Sequence, residues 1–223
     1  MFKISSSVFT DPRDGRTYKT TQIGEQVWMA ENLAFDIADS KCYDNVPSNC
    51  EKYGRLYNWE TANKAVPLGW HLPTDEEWEN LINFVGGFSV AGMKLKAIAG
   101  WRNDGNGTDE YGFSALPGGD NCRINKFWGI RINGGWWTST ECDAKSAYHR
   151  GMGYSYDGVS RYNYYKETLF SVRCVKEFSI KRLASEPIVE KYKTYFAGNK
   201  NSLTATDSSK EQKDGTNRNF RME

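Results

Sequence analysis

The densest set of groups able to do chemistry lies in residues 134–154, GGWWTSTECDAKSAYHRGMGY, which holds two adjacent tryptophans, a hydroxyl-rich turn, Cys142, His149 and a tyrosine- and glycine-rich run. In an extended segment Trp136 and Trp137 point to opposite faces, so one enters a core and Trp137 is assigned to the surface. Past the turn, alternation sets Tyr148, Arg150, Met152 and Tyr154 on one face and His149, Gly151, Gly153 and Ser155 on the other. The face of long amphipathic groups is expected to meet a ligand. The alternative is a sheet whose aromatics only pack.

Other reactive groups are sparse. Asp104, Asn106, Thr108 and Glu110 place oxygens at every second position among turn-forming glycines and so partly imitate a calcium loop. Their spacing departs from that of a helix-flanked calcium loop, and an Asx-rich turn without metal is preferred over calcium. His71 beside Leu72-Pro73 at a helix entry reads as structural, and His149 as either a buried histidine or a surface donor. Neither has a nucleophile partner, and no GxSxG or HExxH occurs. The five cysteines cannot all pair within one chain. Cys42 and Cys50 enclose the turn-rich loop CYDNVPSNC, where a disulfide is favoured; Cys122, Cys142 and Cys174 stay open. Five reduced thiols in a cytosolic protein are the competing reading. With no CxxC and only two histidines, the composition argues against a zinc site.

These groups must be positioned by a chain of 223 residues, enough for one large domain and a tail. A net charge of +1 gives no global field for nucleic acid or an anionic membrane, and no apolar run is long enough for a spanning helix. Aromatic residues at 14% beside 21 glycines suit short strands and loops better than a long-helix bundle. The N-terminus carries no apolar signal segment. DPRDGR (11–16) reads as a turn, followed by a two-stranded ribbon closed near Gly24-Glu25. Leu56, Trp59 and Ala62 mark a short helix stopped by Pro67.

In TDEEWENLINFVGG, Thr74 and Glu77 form a capping box, and Trp78, Leu81, Ile82 and Val85 form the apolar stripe. The acidic cluster 75–77 is read as capping, not as a catalytic pair. A shorter helical piece follows at VAGMKLKAIAG. Strands are then expected at 112–116, 136–139, 146–154, 161–165 and 171–175. A ribbon, two helices and an antiparallel cluster together predict an α+β fold. Residues 1–10 read as an extension and 11–177 as the domain. Residues 178–223 form a polar tail with nine Lys/Arg against six Asp/Glu, expected to be partly disordered, with a partner-binding arm as the alternative.

Six blocks in one order carry a resemblance: DGRTYKTTQIGEQVWMAENL, CYDNVPSNCEKYGRLYNWETA, GWHLPTDEEWENL, GNGTDEYGFSALPGG, GGWWTSTE and FSVRCVK. Over about residues 11–177 the chain resembles the Fibrobacter succinogenes major paralogous domain family. That family is similar to the C-type-lectin-like fold and, within it, to the formylglycine-generating enzymes. The resemblance implies a C-type-lectin-like α+β domain with two main helices and an irregular antiparallel sheet, in surface-exposed or secreted bacterial proteins; without a visible signal segment, a cytoplasmic setting stays open. Formylglycine-generating enzymes use two copper-binding cysteines five positions apart. Here Cys142 matches the first and Ala147 stands at the second, so no enzyme of that type is expected. Calcium-dependent lectins use Glu-Pro-Asn or Gln-Pro-Asp, and neither tripeptide occurs.

The leading expectation is a non-catalytic binding module that presents Trp137, Tyr148, Arg150, Tyr154, Tyr156, Arg161, Asn163 and Tyr165 to a glycan or protein ligand. A divergent formylglycine-type enzyme and a structural surface-display protein are the alternatives.

Overall fold

The computed structural model describes residues 6–123 and 126–177. Its N-terminal turn is closed by Asp11, which is fully buried and accepts hydrogen bonds from the Arg13 backbone N–H (3.0 Å) and guanidinium (2.6 Å). This turn joins β1 (Ser6–Thr10) to β2 (Thr17–Ile23). Gly24, at φ 61°, and Glu25 then lead into β3 (Gln26–Met29). The ribbon therefore has three strands and not the expected two, because residues 6–10 add to β2 in antiparallel register.

Cys42 and Cys50 are joined by a disulfide. Cys50 belongs to α1 (Pro47–Tyr53). Asn58 caps α2 (Trp59–Ala65) by accepting from the Thr61 N–H at 2.8 Å. A two-residue strand, β4 (Trp70–His71), precedes α3 (Asp75–Phe84). The Thr74–Glu77 capping box is formed in both directions, and Trp78, Leu81, Ile82 and Val85 are buried. Gly86 and Gly87, both at positive φ, end that turn and lead into α4 (Phe88–Leu95).

The remaining strands are β5 (Gly118–Arg123), β6 (Lys126–Ile130), β7 (Asn133–Glu141), β8 (Ser146–Gly153), β9 (Ser160–Tyr165) and β10 (Val175–Lys176). They complete two five-stranded sheets, ordered β1-β2-β3-β10-β4 and β6-β5-β7-β8-β9. Pairing is antiparallel except for β5 against β7. Two expected strands are corrected. Residues 112–116 form only an isolated bridge at Ala115, since Ser114 sits at φ 52° with its N–H and hydroxyl bonded to Asp109. Most of 171–175 forms no ladder and instead threads between the sheets, with Ser171 bridged to Trp136 and the Val172 carbonyl accepting from the Leu33 N–H.

Two large apolar clusters result, with a small third one of Tyr43, Leu56 and Leu169. Trp28, Trp78, Phe113 and Trp136 meet edge-to-face or tilted in the first, under α3 and α4. Tyr18, Tyr57, Trp70, Trp137 and Phe170 lie in the second.

A polar hub is buried among these elements. Asn32 Oδ1 accepts from Trp136 Nε1 (2.8 Å) and from Arg173 Nε (3.1 Å) and Nη2 (2.7 Å). Its Nδ2 donates to the Tyr53 carbonyl at 2.8 Å. Arg173 is fully buried and also donates to the carbonyls of Met29 and Phe113. Gly54 makes room for the hub: it sits at φ 77°, and a Cβ there would fall 2.7 Å from Asn32 Cβ. Asn32→Leu keeps the volume but strips three N–H donors on two side chains, one of them charged, of their acceptor. We expect it to lower unfolding free energy by about 3 kcal/mol or more, read from the urea midpoint.

Candidate functional site

Sheet pairing decides which side chains share a face. In the β8–β9 ladder Arg150 lies opposite Arg161, Tyr148 opposite Asn163, and His149 opposite Tyr162. The long-group face of β8 turns inward. Met152 is buried in the first cluster, Tyr154 packs against it half-buried, and Arg150 is 2% exposed beneath α3. There the Arg150 Nη2 lies 2.7 Å from Asp75 Oδ1 and 2.8 Å from Glu79 Oε2. Asp75 Oδ2 also accepts from Arg161 Nε at 2.7 Å, and the Arg161 guanidinium covers the Tyr148 ring at 3.7 Å. Asp75 thus joins α3 to two strands as well as standing in its first turn.

Two placements correct the sequence expectation. Trp137 is fully buried in the second cluster, where its Nε1 donates to the Tyr57 carbonyl at 2.9 Å. β7 is covered on both faces at this point, so Trp136 and Trp137 enter separate cores. Arg150 is likewise no surface donor, because its charge is neutralised by the two carboxylates of α3.

The small-group face is the open one. His149, Gly151 and Gly153 of β8, with Gly134 and Gly135 of β7, floor a groove of about 490 Å³. Trp128 of β6 and Tyr162 and Tyr164 of β9 line it, with Tyr156 and Phe88. His149 is 5% exposed, stacked on Phe170 at 4.3 Å and met edge-on by Tyr164. Burial pushes its pKa down to about 4, against an opposing contact with the Tyr162 backbone. The imidazole is therefore neutral at pH 7, with Nδ1 sealed from solvent and Nε2 3.9 Å from where a Cβ on Gly151 would stand. At one end Asn133 donates to Asp120 at 2.7 Å. Near another, buried Lys96 holds the carbonyls of Gly153 and Tyr156 at 3.2 and 3.1 Å.

Of the eight residues expected at a ligand, only Tyr156 lines this groove. Tyr165 lines a separate cavity of about 540 Å³ with Asn58, Glu60 and Lys166. Asn163 is exposed, with its amide 3.5 Å from Cys142 Sγ. Trp128, His149, Tyr162 and Tyr164 stand outside that expected set. A usable signal for them is Met152, an apolar residue in register with Arg150, which marks that face as inward.

The oxygens of the 104–110 loop go to protein partners. Asn106 Oδ1 accepts from the Trp101 N–H, Thr108 bonds Glu110, and Glu110 pairs with Lys94 at 3.7 Å. Asp104 is exposed. Among the described residues no three His, Cys, Asp or Glu side chains are grouped to hold a metal. Gly107 lets the loop lie against α4, since a Cβ would come 2.3 Å from the Met93 and Lys96 carbonyls. Cys142 is an exposed free thiol, Ala147 is buried, and Cys174 is a buried thiol whose pKa burial pushes up to about 12. The side chain of Cys122 and the tail 178–223 lie outside the described residues.

Titration of the two histidines has opposite consequences. For His149 the folded pKa lies below the unfolded value of about 6.5, so its stability contribution is complete above that pH and is lost as pH falls toward 4. His71 is raised by its 2.7 Å bond to Glu77, so its contribution is complete below about pH 6.5 and constant through that window. We expect stability to drop by about 3 kcal/mol between pH 6.5 and 4 on account of His149. His149→Gln should flatten that part of a denaturation series against pH.

No curated protein and no solved structure matches the chain. The sequence model of the Fibrobacter succinogenes major domain matches residues 21–176, a span that runs from β2 to β10 and includes the hub, the Asp75 cluster and the whole groove. The chain belongs to the Fibrobacter succinogenes major domain family.

Proposed function

We propose that the domain is a non-catalytic binding module of C-type-lectin-like fold, displayed or secreted by a bacterium, that takes a glycan or protein ligand on the aromatic side of its second sheet. The observation that carries this reading is the run of aromatic rings left in solvent beside one another. Tyr162 is 60% exposed on β9, with Tyr164, Tyr156 and Trp128 each near 40%. A water-soluble domain leaves few large rings together at its surface unless they meet a partner. Tyrosine and tryptophan bring wide contact area and a polar edge at small entropic cost.

Two further observations support it. The Cys42–Cys50 disulfide suits an oxidising compartment. Cys142 faces Asn163 and not a second described thiol, which favours binding over copper-dependent oxidation.

A glycan and peptide array probed with the full chain, with calcium and with chelator, tests this reading. We expect saturable binding that Tyr162→Ser/Tyr164→Ser weakens at least about tenfold, with chelator making no difference. An array without any binder overturns it.

A further inference from the structure

The glycines of the groove floor do not all have the same reason to be there. A Cβ on Gly134 would come 2.5 Å from Trp136 Cη2, one on Gly135 2.6 Å from Phe170 Cδ1, and one on Gly151 2.8 Å from Ser160 Oγ. Packing accounts for these three. Gly153 differs: a Cβ there meets nothing within 4 Å, and its φ is not positive. Gly153 is the last residue of β8, and since neither packing nor backbone conformation reserves it for glycine, it leaves open space at that end of the floor.

His149 gives the same groove a polar point. Its Nε2 edge faces the floor, 3.9 Å from where a Cβ on Gly151 would stand, while Nδ1 is sealed from solvent, so a ligand hydroxyl in the groove would meet Nε2. The other lining groups restrict the ligand further. No lysine or arginine is among the described residues that line the groove, which disfavours an anion, and Asp120 already accepts from Asn133. What remains is a cleft with aromatic walls and a small number of polar points, of the size usual for small-ligand sites.

We propose that this groove binds a neutral saccharide, one sugar ring lying over the Gly151–Gly153 floor against Trp128 and Tyr162, with a hydroxyl hydrogen-bonded to His149 Nε2. A sugar ring offers an apolar C–H face to aromatic walls and hydroxyls at its rim to polar points, and this groove is built in the complementary way. The proposal rests on the binding-module reading and narrows it to one site and one class of ligand.

The test is calorimetric titration of the full chain with soluble neutral gluco-, manno- and galacto-oligosaccharides. At least one series should bind saturably and change tryptophan fluorescence. Gly153→Phe, whose ring would occupy the groove without displacing protein atoms at Cβ, and Trp128→Ala should each lower affinity at least about tenfold with an unchanged melting temperature. Leu68→Ser, at a fully exposed position outside the groove, should match wild type. If an oligosaccharide binds and both groove variants retain wild-type affinity, the site is wrong while the binding-module reading stands. If no oligosaccharide binds, or the groove variants lose only a peptide found on the array, the saccharide assignment is overturned. Failure of every glycan and peptide would remove the broader reading as well.

Discussion

A buried guanidinium held by an amide oxygen and backbone carbonyls ties the fold together. Arg173 satisfies its donors with the side-chain oxygen of Asn32 and with the carbonyls of Met29 and Phe113. Burial pulls its pKa down to about 9, so it stays charged at neutral pH and continues to require those acceptors. Asn32 ties it to the Trp136 indole on β7 and to the end of α1 through the Tyr53 carbonyl. Three separated sequence blocks, AENL, GGWW and SVRC, thus converge on one amide side chain. A buried network of this kind is costly when half-satisfied, so each block constrains the other two.

Strand β7 is the common wall of the two large apolar clusters, with Trp136 in one and Trp137 in the other. Covering it on both sides takes the segment 169–174, whose irregular path places Phe170 against Trp137 at 4.9 Å. The same Phe170 lies under His149 and closes the base of the groove. The groove is in this sense an outcome of core packing: the segment that fills the second core also supplies the surface on which the imidazole rests.

Local features were legible in the sequence because their causes are local. The Thr74–Glu77 capping box, the Gly24-Glu25 turn, the 42–50 disulfide loop and the β8–β9 alternation all depend on residues a few positions apart. The two faces of β8 were separated correctly, and the assignment of which one is open was inverted. Face choice depends on partners far along the chain: Arg150 finds Asp75 and Glu79 more than seventy residues upstream. Trp128 and the β5–β6 hairpin escaped for a different reason. Gly118-Gly119 reads as a strand terminus, yet Gly119 begins the pairing with β7, and its φ of 69° admits the close approach of the Trp128 carbonyl and Tyr43 ring.

The Asp75 carboxylate sits in the first turn of α3 and grips Arg150 and Arg161 from adjacent strands, while Arg161 lies flat on Tyr148. Edge strands commonly fray, but β9 is pinned near its start by a helix that is itself anchored in the first core. The rings of Tyr162 and Tyr164 consequently stand on a backbone that is already ordered. A ligand arriving there has little chain motion to freeze, and more of its contact energy is left to appear as affinity.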